Sequence, residues 1–260
     1  MPGDLLYILL GLMSGALVGF TLGLVGGGGS ILAVPLMVYV VGVPNPHIAI
    51  GTSALAVAAN AATGLAQHAR QLNVRWRCGG MYAFAGVIGA FGGSTLGKAI
   101  DGQKLLFLFA ILMIVVGALM LRDRNAPGTP DAQCNRNNAP KVLGYGLGTG
   151  AFSGFFGIGG GFLIVPGLVA STDMLMINAI GTSLVAVTAF GLTTAANYAL
   201  SGLVDWWLAA VFITGGAIGG FGGTALAKRL SGGNTLRIIF PVLIFLVAFY
   251  MLWQSWQAIA

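Results

Sequence analysis

The stretch GLVGGGGSILAVP, Gly23 to Pro35, returns in the second half of the chain as GFFGIGGGFLIVP, Gly154 to Pro166. Aligned, Gly23 meets Gly154, Gly26 meets Gly157, Gly28 meets Gly159, Gly29 meets Gly160 and Pro35 meets Pro166. Working outward, Ile50-Gly51-Thr52-Ser53 returns as Ile180-Gly181-Thr182-Ser183, and VRWR at Val74 to Arg77 returns as VDWW at Val204 to Trp207. Gly86 to Lys98 returns as Gly216 to Lys228. These pairs predict two homologous halves, residues 1–121 and 142–260. The intervening linker, 122–141, is rich in Asn, Pro and charge and reads as irregular.

The chain is 57% hydrophobic and 7% charged, with a mean hydropathy of +0.92. That excludes a soluble domain of this length. Apolar runs fall at Leu5–Val41, Ile48–Ala66, Gly79–Gly97, Leu105–Leu121, Val142–Ala170, Met174–Leu200, Leu208–Ala227 and Leu236–Trp253. Each approaches or exceeds the ~20 residues a membrane helix needs. The runs are continuous instead of alternating, which excludes a β-barrel. No Lys or Arg precedes Arg70, so the first run lacks the basic flank of a cleavable signal peptide and reads as a retained membrane segment. Cys78 and Cys134 stand far apart without CxxC or Cys/His spacing, so neither a disulfide framework nor a zinc site is expected. The net charge of +6 points to loop orientation in a membrane and not to nucleic acid.

Charge counting decides how the halves are related. Four spanning helices per half would split the twelve Lys and Arg seven to five. If each glycine string instead turns a hairpin that enters and leaves on one face, the halves are inverted. Arg70, Arg75, Arg77, Arg122, Arg124, Arg136, Lys141, Lys228, Arg229 and Arg237 then share one face, against Lys98 and Lys104 on the other. Ten to two obeys the positive-inside rule and puts both termini outside the cytoplasm. Length agrees: Ser30 to Val41 is 12 residues, roughly 18 Å of helix against a hydrocarbon core of ~30 Å. The predicted fold is therefore an all-α polytopic membrane protein of two inverted-topology repeats. Each repeat has a Gly-broken re-entrant helical hairpin plus three transmembrane helices.

A turn inside the membrane is tolerated where it is buried in protein or lines a polar cavity. Inverted-repeat transporters place substrate where two such turns meet near the midplane. Consecutive glycines allow positive φ and close ligand approach, and a helix beginning at Ser30 or Gly161 would present unsatisfied N–H groups. Two such termini make a neutral cradle for an anion, since hydrogen bonds to a charged group contribute about 1.5 to 3 kcal/mol each. Ser53, Asn60 and Gln67 recur every seventh residue with Thr52 and Thr63 nearby, a polar stripe on one helical face. Thr182, Ser183, Thr193 and Asn197 repeat it. The chain has no Glu, and no Asp falls at the predicted core, which argues against a carboxylate proton relay or a sodium site.

These residues resemble the sulfite exporter TauE/SafE family of membrane anion transporters. The resemblance spans nearly the whole chain, through the Gly-x-Gly-Gly-Gly pattern before a Pro and the downstream Gly-Thr-Ser in both halves. It implies export of sulfur oxyanions such as sulfite, or of small organosulfonates, across the cytoplasmic membrane. Carried over, it marks Gly26, Gly28 and Gly29, then Gly157, Gly159, Gly160 and Gly161, with Ser30 standing where the pattern has a third glycine. With Thr52, Ser53, Thr182 and Ser183 these form the expected substrate site. The expected partners are the anion and the bilayer, with no cofactor, metal or nucleic acid. A homodimer through the glycine-rich third helix of each half is left open.

Other readings compete at single positions. Gly89, Gly93 and Gly97, like Gly219 and Gly223, are spaced for close helix packing. Ser and Thr in membrane helices also bond their own backbone. His47, His68, Lys98 and Lys228 fall at helix ends, and Trp76, Trp206 and Trp207 at interfaces. A passive anion channel would use the same cradle. An intramembrane serine hydrolase would need Ser30 with His47 or His68 as base, but Ser30 aligns with Gly161 and no third residue orients a histidine.

Overall fold

The computed structural model describes residues 5–122, 129, 134–136, 138–159, 161–230 and 245–254. Gly160, Arg124 and Arg237 lie outside them. α1 (Leu5–Val25) runs into a 3-10 stretch, Gly26–Leu32, then a single α turn, α2 (Ala33–Pro35), and a π-helical run, Leu36–Val40. α3 (Pro46–Arg70), α4 (Trp76–Lys98) and α5 (Gly102–Arg122) complete the first half. The second half contains α6 (Ala139–Phe156), α7 (Gly161–Thr172), α8 (Met176–Ala199) and α9 (Trp206–Leu230), then α10 (Phe245–Gln254). Among the described residues the only β pairing is one isolated bridge, Thr129 to Met174. Among the described residues four helices are long and apolar enough to cross a membrane by length and composition: Leu5–Leu24, Pro46–Arg70, Met176–Ala199 and Trp206–Thr224.

Short polar residues cap the starts of α3, α5 and α9. Asn45 caps α3, its Oδ1 accepting the His47 N–H at 2.9 Å, with Pro46 at the first turn. Asp101 Oδ1 accepts from Gln103 and Lys104 before α5, and Asp205 Oδ1 accepts from Leu208 N before α9. Such caps satisfy N–H groups that the helix itself cannot. The outward surface is apolar: Leu5, Phe84 and Phe221 are 74%, 72% and 68% exposed, as expected where lipid and not water is the surroundings.

Packing is dominated by two glycine seams that join the halves. α1 lies along α9 in the same direction, so a β-carbon at Gly15, Gly19 or Gly23 would strike the backbone of Phe212, Gly216 or Gly220 respectively. In return, one at Gly219 or Gly223 would strike the carbonyl of Ala16 or Phe20. α4 and α6 form the matching pair: Gly89, Gly93 and Gly97 press on the carbonyls of Leu147, Ala151 and Phe155, while Gly146, Gly150 and Gly154 press on Tyr82, Gly86 and Ala90. Small residues let backbones approach this closely in a setting where lipid offers no hydrophobic drive. The close-packing expectation for Gly89, Gly93, Gly97, Gly219 and Gly223 therefore holds. These glycines face the chain's own helices. Gly23 and Gly154, the first residues of the repeated string, are seam glycines and not turn glycines.

Between the seams, α3 and α8 cross antiparallel, with Gly51 against Tyr198 and Leu203, Gly191 against Ala54 and Ala58, and Gly64 against Leu184. Two reciprocal bonds tie this pair to α9 and α4, the third long helix of each half once the broken hairpin is counted as one. Thr52 Oγ1 accepts the Asp205 N–H at 2.9 Å, and Thr182 Oγ1 accepts the Arg75 N–H at 2.9 Å. Each hydroxyl thus serves the backbone just ahead of the other half's third helix. Thr52→Val or Thr182→Val keeps shape but orphans that N–H. Each is expected to cost about 1–3 kcal/mol, read as a fall in the thermal midpoint of detergent-solubilised protein. An unchanged midpoint for both would show that the bonds carry no net stability.

One expectation is corrected here. Cys78 and Cys134 form a disulfide, with Cα atoms 5.3 Å apart across a sequence separation of 56. Sequence spacing concealed it because α5 intervenes and brings the linker back beside the start of α4.

Candidate functional site

The second glycine turn follows α6. Gly157 ends the helix in the left-handed region at φ 68°, and Gly159 follows at φ 64°. For an L side chain that conformation costs roughly 1–2 kcal/mol, so the turn requires glycine on backbone grounds alone. Sterics agree. A β-carbon on Gly157 would strike Ile50, and one on Gly159 would lie 2.9 Å from Val57 Cγ1 and 3.4 Å from Val187 Cγ1. Gly159 therefore sits between equivalent valines of α3 and α8, where the two central helices meet. Gly161 then opens α7, buried, as expected.

The first turn differs from expectation. Gly26, Gly28, Gly29 and Ser30 all lie within the 3-10 run, so Ser30 is interior to that run and not the N-terminus of an α-helix. Gly29 packs on the backbone of Thr21 and Leu22, and Thr21 Oγ1 reaches the Gly29 carbonyl at 3.4 Å, so the chain doubles back along α1. A run of small residues lets the chain tighten to three residues per turn, whereas Ile158, fully buried, spaces the second turn into separate bends. The 3-10 run packs on α7, the helix that follows the second turn, and on α8.

The expected hydroxyls are all buried and already engaged. Thr52 and Thr182 accept the loop N–H groups described above, Ser53 Oγ donates to Ile50 O at 3.0 Å, and Ser183 Oγ donates to Ile180 O at 2.8 Å. The Ser53–Asn60–Gln67 stripe divides. Ser53 turns to its own backbone, while Asn60, Thr63, Gln67 and His68 line one pocket between α1, α3 and α9. Asn60 is only 3% exposed, yet among the described residues neither its Oδ1 nor its Nδ2 has a hydrogen-bond partner. Leaving such a group unsatisfied costs about 1–3 kcal/mol. Sequence reasoning found Asn60 as part of a stripe but did not place it in the site.

The second-half stripe is closed by a cation. Lys98 Nζ donates to Asn197 O at 3.0 Å, Asn197 Oδ1 at 2.8 Å and Ser201 Oγ at 2.8 Å. Asn197 Nδ2 in turn donates to Ser94 and Thr95. Lys98 does end its helix, as expected, but its ammonium is bound to the C-terminal turn of α8, where the helix dipole favours a positive charge. His47 and His68 occupy the first and last turns of α3, roughly 30 Å apart at 1.5 Å per residue. Among the described residues no group of His, Cys, Asp and Glu is placed to hold a metal ion.

The comparisons with known proteins agree with a transport role. The chain is 54% identical over 248 residues, 95% of each chain, to a "Probable membrane transporter protein" of Xylella fastidiosa (strain 9a5c). It is 27% identical over 224 residues, 82% of this chain and 88% of the relative, to "Probable membrane transporter protein YdhB" of Bacillus subtilis (strain 168). A Haemophilus influenzae relative with the same general name is 30% identical over 205 residues, 75% of each chain. No solved structure matches. The family model described as "Sulfite exporter TauE/SafE" matches residues 11–251, and the chain, an all-helical membrane protein built around its paired glycine strings, belongs to that family.

Proposed function

We propose that this protein exports small sulfur oxyanions, such as sulfite or short organosulfonates, binding them where the two glycine turns meet. The observation that carries the proposal is that both turns pack on α8: the 3-10 run lies on α7 and α8, and Gly159 is wedged between Val57 of α3 and Val187 of α8. The residues of both turns are neutral and rich in bare backbone, suited to an oxyanion and poor for a cation.

The halves are inverted in this reading. Support comes from α3 and α8, equivalent helices that cross antiparallel, and from the α1–α9 and α4–α6 seams and the Thr52 and Thr182 bonds, which exchange with one another when the halves are swapped. Alternating access then consists of one seam pair moving against the other. The test is radiolabelled sulfite flux in proteoliposomes at imposed pH gradients and membrane potentials. Gradient-driven flux and counterflow support a carrier, conductive flux without counterflow supports a channel, and no flux overturns the substrate assignment.

Orientation follows from charge, with the face carrying Arg70, Arg75, Arg77 and Lys141 in the cytoplasm. The Cys78–Cys134 pair lies on this same face, in a compartment that keeps thiols reduced. The expected result is therefore a dithiol in intact cells, alkylated by a membrane-permeant maleimide without added reductant, and a disulfide in protein purified in air. Thiols that resist alkylation in cells until reduced would put this face outside and reverse the orientation.

A further inference from the structure

The two halves treat one equivalent position in opposite ways. The register that aligns Thr52 with Thr182 and Gly86 with Gly216 sets Asn60 opposite Phe190. In the second half, the Phe190 ring presses on Gly86, is fully buried and stacks on Tyr82 with centroids 6.4 Å apart. That position is an apolar plug. In the first half the Asn60 amide presses on Gly216 in the same way, but it faces a small open pocket with a cavity volume of about 20 Å³.

The remaining polar lining comes from Thr63, Gln67, His68 and Thr224, and His68 Nδ1, like the Asn60 amide, is buried without a partner among the described residues. Thr63 and Thr224 have bonds to their own helix backbone. Among the described residues no carboxylate lines the pocket, so a cation would find no counter-charge there. An Asn amide offers two donors, and Gln and His add more. Leu22 and Gly23 also line the wall, so the pocket leads from the end of α3 that bears Arg70 toward the first glycine turn.

We propose that this one-sided pocket, centred on Asn60, is a binding site for a small oxyanion on its way between the basic face and the glycine turns. The proposal rests on the transport reading above and adds that binding is asymmetric: the first half holds a polar site where the second holds Phe190. A dehydrating anion supplies the acceptor that the buried Asn60 Nδ2 lacks. The enclosed part now admits about one water, so occupation requires α1 and α9 to draw away from α3, which couples binding to seam movement.

The experiment uses the full chain, purified and reconstituted, with sulfite, sulfate and sulfoacetate as probes. It measures half-saturation of flux and ligand-induced shift of the thermal midpoint. Asn60→Leu is expected to fold with a midpoint equal to or above wild type, to lose the ligand-induced shift, and to raise half-saturation about tenfold, the loss of one charge-assisted hydrogen bond. Gln67→Leu, at a half-buried position, should raise it several-fold. Phe190→Leu should lower the midpoint and leave half-saturation unchanged. If Asn60→Leu fails to fold, Gln67→Leu decides. Half-saturation within about twofold of wild type in every folded pocket variant would mean that the amide holds only water, overturning this site while leaving the transport reading intact. No flux and no shift in wild type with any probe would overturn both.

Discussion

Gly159→Val is expected to abolish sulfite flux, with at least a tenfold loss and a fall in stability of about 2–5 kcal/mol. Two costs add. Valine is a poor occupant of positive φ, and Gly159 is held at φ 64°; its β-carbon would also lie 2.9 Å from Val57 Cγ1. Companion variants separate them. Gly159→Asn keeps the steric demand of a β-carbon but tolerates the left-handed region, so it should recover the backbone part of the loss. Gly159→Ala combined with Val57→Ala should recover the steric part. If Gly159→Val gives folded protein with wild-type flux, the anion does not pass the second turn, and the proposed site is wrong.

Neighbouring glycines of α4 should respond with opposite signs. A β-carbon on Gly93 would strike the Ala151 carbonyl, whereas one on Gly92 would meet nothing within 4 Å. Backbone cannot be relieved by a rotamer change, so Gly93→Ala must push α6 away along the seam. That should cost about 1–3 kcal/mol, and Gly93→Leu should prevent folding. Gly92→Ala should be neutral or stabilise by up to about 1 kcal/mol, because alanine is the better helix former. Thermal unfolding of the pair in detergent reads the difference directly. Equal responses would mean that α4 and α6 are not packed backbone to backbone.

The site was partly legible. The glycine string, its partner and the Thr-Ser pairs were all visible, and Gly157, Gly159 and Gly161 form the expected turn and helix start. Ser30 was misplaced because a glycine run is compatible with an α-helix start and with a 3-10 turn, and local sequence does not choose between them. Lys98 at a helix end was foreseen. Its three oxygen partners, two on Asn197 of α8 and one on Ser201 just beyond it, were not, since they arise from α4 and α8 meeting at one end of the bundle.

Membrane class, duplication and most helix positions followed from the sequence alone, because apolar content, repeated motifs and glycine breaks are local properties that no partner helix alters. Only the tertiary structure decided which glycines turn the chain and which join helices. A residue without a side chain looks the same in both roles until a neighbouring carbonyl or a positive φ distinguishes them. It also decided that α1 pairs with α9 and α4 with α6, that Cys78 meets Cys134, and that Asn60 faces a pocket where Phe190 packs on Gly86 and Tyr82. Each of these depends on contacts between segments distant in sequence, and no periodicity within one helix encodes the surface it will meet.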